Sequence, residues 1–366
     1  SLIPERPTVV LGPPPAEKPA TRDRLLVTDF ADRSGDPELA ALLSDAFRVG
    51  LTESGAVEMT TRQRAATAVV TGSIDTAAGR YTISARLTWP KRQQQAAPLS
   101  EVADAGDVVP ALGRLAERLR EQLGESATSI AAAPRLEDVA SASVPALRSY
   151  ANAVRALNAG DRVNGVKLLK AATALDTGFA AAHRLMALTY GELGDRARSA
   201  DALDHAVANE ARLPFYERNY TIASHAMTVL RNYATAVDAY NRILERNPDD
   251  VRALIGLAAA HAARREYVVQ ESLFVRALAA DSGAPALYSG LALAQVNQGK
   301  YDEARRVLDK LDRRFPGTRG GQLAAVSLAT SKQDWDSAER AARANLTGTP
   351  DDTTGALDGL ETVASI

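Results

Sequence analysis

Between Pro285 and Pro316 the chain sets its packing residues at helical spacing twice over. Tyr288, Leu291, Ala292 and Gln295 share one face; after Gly299-Lys300, Tyr301, Ala304, Leu308 and Leu311 share another. The spacing predicts two short helices packed back to back. Pro316 stops the second, because proline lacks the amide proton and clashes with the preceding turn. Shifted by 34 residues, copies of this unit begin at Val251 and Glu217, and onward at Arg319 and Thr353; two more begin at Ala146 and Ala180. The turn pair recurs as Gly160-Asp161, Gly194-Asp195, Arg231-Asn232, Arg265-Glu266 and Gln333-Asp334. Tyr301 is matched by Tyr233, Tyr267 and Trp335, Ala304 by Ala236 and Ala338, and Pro316 by Pro248 and Pro350. Small residues fall where two helices must touch, at Ala153, Ala187, Ala258 and Ala292 and again at Ala172, Ala206 and Ala277. Only the step from the second copy to the third departs from the period, at 37, which places a three-residue insertion around Asn209 to Phe215.

Upstream the period changes. Residues 1–22 carry six prolines and few large apolar groups, which reads as an extended linker. From residue 23 to 125 the pattern predicts an α/β domain, a small mixed sheet covered by helices. RLLVTDF is a buried strand, and Leu39, Leu42, Leu43, Ala46 and Leu51 make the stripe of a helix closed by Gly55. Strands at Ala56 to Met59 and Ala68 to Asp75 lead to a turn at Ala78-Gly79. The returning strand alternates, with Tyr81, Ile83, Ala85, Leu87 and Trp89 on one side and Thr82, Ser84, Arg86 and Thr88 on the other. Asp107 is placed to cap a helix from Val108 to Gly124 whose stripe of Val109, Leu112, Leu115, Ala116, Leu119 and Leu123 would cover the sheet. Residues 126–144 turn to Ala, Ser and Pro, a linker or strap, and residues 145–366 are helical throughout, about six to seven repeats with the last incomplete.

Composition narrows the function. An apolar content of 46% suits real cores, and a net charge of -2 lacks the positive field a nucleic-acid partner requires. The absence of cysteine removes disulfides, thiol catalysis and cysteine-ligated metals. No apolar run reaches the ~20 residues that span a bilayer. The start at Ser1 and the proline-rich stretch after it imply something upstream: a signal peptide, an anchor or a further domain.

No catalytic constellation stands out: no GxSxG elbow, no phosphate-binding Walker loop and no HExxH. The four histidines, His183, His205, His225 and His261, fall apart from one another and read as packing or polar surface residues. Asp29, Asp32 and Asp36 could ligate a cation, although turn and cap hydrogen bonds are the plainer role. The stripe of Tyr233, Tyr267, Tyr301 and Trp335 reads as core packing. The expectation is a chain without enzymatic activity, cofactor or metal.

The repeated pattern resembles the tetratricopeptide repeat, over roughly Ala146 to Ile366. That resemblance implies a right-handed superhelix whose copies bury their apolar faces only by stacking, and a groove lined by the first helix of each pair. Projecting that face gives Tyr150, Val154 and Leu157, then Arg184 and Leu188, then Arg218, Thr221, His225 and Val229. Arg252 and Ile255 follow, and then Ser289, Leu293 and Asn297. The Lys and Asn arrangement by which some relatives grip an acidic chain terminus is missing. A mixed, small and apolar groove suits an extended or helical protein segment.

A second resemblance rests on VTDFADRSGDPEL, LSDAFRVGL, the VVTGSI and YTISARL hairpin, LREQLGES and SVPALRSYANAVRALNAGD. This order is similar to the extracytoplasmic region of bacterial transmembrane Ser/Thr kinases that carry tetratricopeptide repeats. It implies a place on the periplasmic side of the bacterial inner membrane, as an accessory subunit or sensor region docking on a membrane-associated complex. A small-ligand or metal-sensing domain of a receptor kinase is the alternative. The chain departs from those relatives in having only TTRQRAAT between two strands where they have a longer helical segment. It also lacks a Gly-rich nucleotide loop and the HRD and DFG sequences, so no kinase activity carries over.

Overall fold

The computed structural model describes residues 23–346, apart from Glu53, Gly55, Thr61 and Arg62. The proline-rich stretch 1–22, the Gly55 helix stop, Pro350 and the copy beginning at Thr353 lie outside the described residues. The chain divides into two compact units, Ser1–Ala133 and Pro134–Ile366.

In the first unit, β1 (Asp23–Val27) lies parallel to both β3 (Val57–Met59) and β4 (Ala68–Ala77), with α1 (Pro37–Thr52) as the crossover from β1 to β3. Helix α1 buries the predicted Leu39, Leu42, Leu43, Ala46 and Leu51. β4 turns at Ala78-Gly79, both residues at positive φ, into antiparallel β5 (Arg80–Trp89). The register sets Val70 opposite Leu87 and Ile74 opposite Ile83, so the apolar alternation of both strands falls on one face. Gly72 lies between Val70 and Ile74 on that same face, against Phe30; a Cβ there would fall 2.6 Å from the Phe30 ring.

Three strands were not legible in the pattern. β2 (Ala31–Arg33) pairs with β4, and β6 (Gln94–Gln95) and β7 (Leu99–Ala103) pair with β5. β2 and β6 are two or three residues long and exposed, and in the five-residue β7 only Leu99 and Ala103 are buried. Helix α2 (Val108–Gln122) buries its stripe as expected. Asp107 stands at its N-cap, but its side chain makes no capping hydrogen bond, and Gly124, at φ +85, follows a helix two residues shorter than expected. Past α2, Arg120 and Glu125 form a two-pronged ion pair at 2.7 and 2.9 Å, and Ser54 and Ser129 each donate a hydroxyl to the Glu125 carboxylate at 2.6 Å. Both charged side chains are almost wholly buried.

The stretch 126–144 holds two short helices, α3 (Ala127–Ala132) in the first unit and α4 (Leu136–Ala140) in the second. From there six helix pairs follow among the described residues. They are α5 (Val144–Asn158) with α6 (Arg162–Leu175), α7 (Ala180–Glu192) with α8 (Arg196–Ala208), and α9 (Phe215–His225) with α10 (Tyr233–Arg246). The regular half continues with α11 (Val251–Ala263) and α12 (Tyr267–Ala280), α13 (Pro285–Val296) and α14 (Tyr301–Arg314), and α15 (Arg319–Ser331) and α16 (Trp335–Leu346). In each pair the first residue of the turn has positive φ: Gly160, Gly194, Arg231, Arg265, Gly299 and Gln333. The next residue starts the second helix, and at Asp161, Asp195, Asn232 and Asp334 its side chain accepts a backbone N–H of that helix.

The small residues expected at helix contacts are buried to 2% exposure or less, from Ala153 to Ala292 and from Ala172 to Ala277. A second repeated contact was not foreseen. Tyr240 of α10 lies over Gly256 of α11, and 34 residues on Phe274 of α12 lies over Gly290 of α13; a Cβ on either glycine would meet the ring at 2.2 or 2.3 Å. The next equivalent pair is Leu308 and Ala324, both buried in one cluster. Of the aromatic stripe, Tyr233, Tyr267 and Tyr301 are half-buried, but Trp335 is 48% exposed and is not a core residue.

Candidate protein-binding face

The tetratricopeptide-repeat resemblance assigns the inner face to the first helix of each pair, where one position recurs as Tyr150, Arg184, Thr221, Ile255 and Ser289. These five do not behave alike. Thr221 is buried, its hydroxyl donating to the Glu217 carbonyl at 2.6 Å within its own helix. Ser289 is also buried, and its Oγ would lie 2.8 Å from a Cβ on Gly320 of α15. The Tyr150 ring packs 5.0 Å from that of Phe179, and burial pushes its phenol pKa up. Ile255 remains 37% exposed. Arg184 is half-buried, and among the described residues its guanidinium makes no hydrogen bond or ion pair.

Other expected groove residues also split. Leu157 packs onto Gly165 of α6, where a Cβ would stand 2.4 Å from it. His225 turns to Asp204 of α8, Nε2 to Oδ1 at 2.7 Å. Arg218 donates to the carbonyls of Glu210, Ala211 and Leu213 and so closes its own turn. Val154, Val229 and Leu293 are half-buried, and Asn297 is exposed at the end of α13. Arg252 is exposed, its guanidinium 3.8 Å from the centroid of the Tyr220 ring, while the Tyr220 hydroxyl donates to Asp250 at 2.6 Å. Desolvation, then that bond, pushes the Tyr220 pKa up.

Leu188, 41% exposed, borders a cleft of about 740 Å³ between α7, α8, α9 and α10. Ala187, Leu203, Met227 and Tyr233 line it, next to Ala226–Leu230, where α9 passes into a π-helical turn. Burial lowers the Arg184 pKa; Glu217 opposes that and Arg252 adds to it. A guanidinium keeps its charge regardless.

The insertion that broke the period has an internal role. Arg212, in the 3₁₀ turn Glu210–Arg212, holds the Asp176 carboxylate with two N–H groups at 2.7 and 2.9 Å and the Asp138 carbonyl with its Nε at 2.7 Å. The Arg212 hydrogen bond pulls Asp176 down to about 2. Gly178 makes room, since a Cβ there would fall 2.5 Å from the guanidinium. Spacing revealed the insertion but not this clasp, which joins residues far apart in sequence.

The other candidate chemistry disperses. His183 is buried with Nε2 on the Thr177 carbonyl and its ring stacked on His205, and His261 pairs with Glu266. Asp29 pairs with Arg48, Asp32 accepts from Ser34, and Asp36 caps α1 through Leu39. Among the described residues no three His, Asp or Glu side chains gather as a metal site, and no helix is long and apolar enough to cross a membrane.

The helix pairs of the second unit are arranged as in tetratricopeptide repeats. Residues 271–326 match the tetratricopeptide-repeat family, a window running from α12 into α15. No curated protein matches the chain. Among solved structures, the type IV pilus biogenesis factor PilW is similar at 16% identity and TM-score 0.48, over 60% of this chain and 99% of that one. A tetratricopeptide repeat protein from Parabacteroides merdae is similar at 18% identity and TM-score 0.47, over 70% and 94%. PilF of Pseudomonas aeruginosa follows at 15% and 0.42, over 59% and 97%.

Proposed function

We propose that the chain is a non-catalytic protein-interaction scaffold of the bacterial cell envelope, docking on a membrane-associated complex through the inner face of its first helices. A repeat array offers such a face for an extended or helical segment of another protein. The observation that carries the reading is that Leu188 and Ile255 stay exposed there and Arg184 half-buried, while Thr221 and Ser289 at the equivalent position are buried. The envelope location and the accessory or sensor role rest on the resemblance of the α/β unit and first repeat to the extracytoplasmic region of transmembrane kinases. Small-ligand sensing would need a site on residues 24–125; Asp29, Asp32 and Asp36 are each engaged within the fold, which favours the scaffold.

A pull-down from detergent-solubilised bacterial membranes tests this. Partners are expected to be captured by the parent chain and by Val268→Asp, which alters a 69% exposed residue of a second helix, and to be lost from Leu188→Asp and Ile255→Asp. Retention by all the variants would remove the inner face from consideration.

A further inference from the structure

Arg184 is the odd group on this face. Arg212 and Arg218, also partly withdrawn from water, each find several acceptors within the fold, whereas the Arg184 guanidinium finds none among the described residues. No Arg184 nitrogen is sealed from water without a partner, so its N–H donors face solvent and are open to an external acceptor. The charged groups within electrostatic reach are Glu217 and Arg252, one anion against two cations on that guanidinium's side of the face. Arg252 stands over the Tyr220 ring and, among the described residues, has no ion pair of its own. An external carboxylate would supply what is missing, because its two oxygens match the guanidinium fork.

One helical turn along α7, Leu188 opens onto the cleft among Ala187, Leu203 and Met227. Residues four apart on a helix stand about 6 Å from each other. Two residues of an extended chain cover about the same distance.

We infer that the α7 region of this face takes an extended acidic segment of a partner protein. An Asp or Glu side chain lies on Arg184, within reach of Arg252, and a large apolar side chain two residues away enters the cleft beside Leu188. This inference rests on the scaffold reading and specifies its ligand. The site is tuned by charge, so its occupancy falls as salt rises.

The test pans a displayed random peptide library against the whole chain, then measures the enriched peptides on variants. The expected peptides pair Asp or Glu with Leu, Ile, Phe or Trp two positions away. They bind Arg184→Gln at least about tenfold more weakly, the loss expected for a charged hydrogen-bonded pair. Arg184→Lys falls between, keeping the charge without the fork. Arg252→Gln, at an exposed position, weakens binding in the same direction and serves should Arg184→Gln lose its helical circular dichroism. Peptides without an acidic residue, sensitive to Leu188→Asp but not to Arg184→Gln, would overturn the carboxylate assignment and leave the scaffold reading standing. Peptides indifferent to all variants, or a library that enriches nothing, would overturn both. A dimer in sedimentation that dissolves on Arg184→Gln would give the site to a second copy of the chain and overturn the partner assignment.

Discussion

The two units hold themselves together by different means. The first has a buried ion pair that occurs once, Arg120 with Glu125 and its two serine donors behind α2. The second spreads its contacts over a device used repeatedly: a ring or leucine on one helix against a glycine or alanine on the next, and a left-handed turn residue before each second helix. A single loss should therefore be severe in the first unit and local in the second.

The largest effect is expected from Glu125→Ala. It leaves the Arg120 guanidinium buried and uncompensated, a loss of about 3–5 kcal/mol. Urea denaturation in a Trp335→Phe background checks this, because Trp89 then reports on the first unit alone. The same residue sets an acid response. Its hydrogen bonds from Arg120, Ser129 and Ser54 outweigh desolvation and lower its pKa from 4.5 to about 2. A depressed folded pKa gives stability that is complete above the unfolded value and lost as pH falls through the folded one. The parent's first unit should accordingly lose stability between about pH 4.5 and 2, and Glu125→Ala should lose that component of the slope.

A smaller effect is expected from Gly290→Ala. Overpacking against Phe274 costs about 1–3 kcal/mol, and the gain in helix propensity returns about 1. Adding Phe274→Leu recreates the Leu308–Ala324 pair of the following repeat, so a double-mutant cycle in thermal denaturation should show the two changes partly cancelling. Additive losses would deny that the contact is a repeated device. Smallest is Arg265→Gly, which relieves φ +60 at a turn where Gly160, Gly194 and Gly299 stand in other repeats. A gain of about 0.5–1 kcal/mol is expected, seen as a raised Tm.

This contrast also explains what the sequence could show. Period and alternation revealed the six helix pairs, their helix-contact alanines and the β4–β5 hairpin, because each is written in neighbouring residues. β7 and the Arg120–Glu125 pair were hidden, since a five-residue strand with two buried residues and an ion pair made past a helix end, completed by the distant Ser54, leave no periodic trace. The inner face was legible only in part for the same reason. Projection treats every repeat alike, yet Thr221 and Ser289 are small enough to be buried where Arg184 and Ile255 are not. Spacing located the insertion, but not that Arg212 within it holds Asp176.

The central claim is that partners meet the inner face around Leu188. Site-specific photo-crosslinking in native bacterial membranes addresses it most directly, with the reactive side chain placed at Leu188 in one protein and at the more exposed Val268 in another. The account predicts a discrete protein adduct from position 188 that Arg184→Gln diminishes, and none from position 268. Adducts from position 268 alone would contradict it.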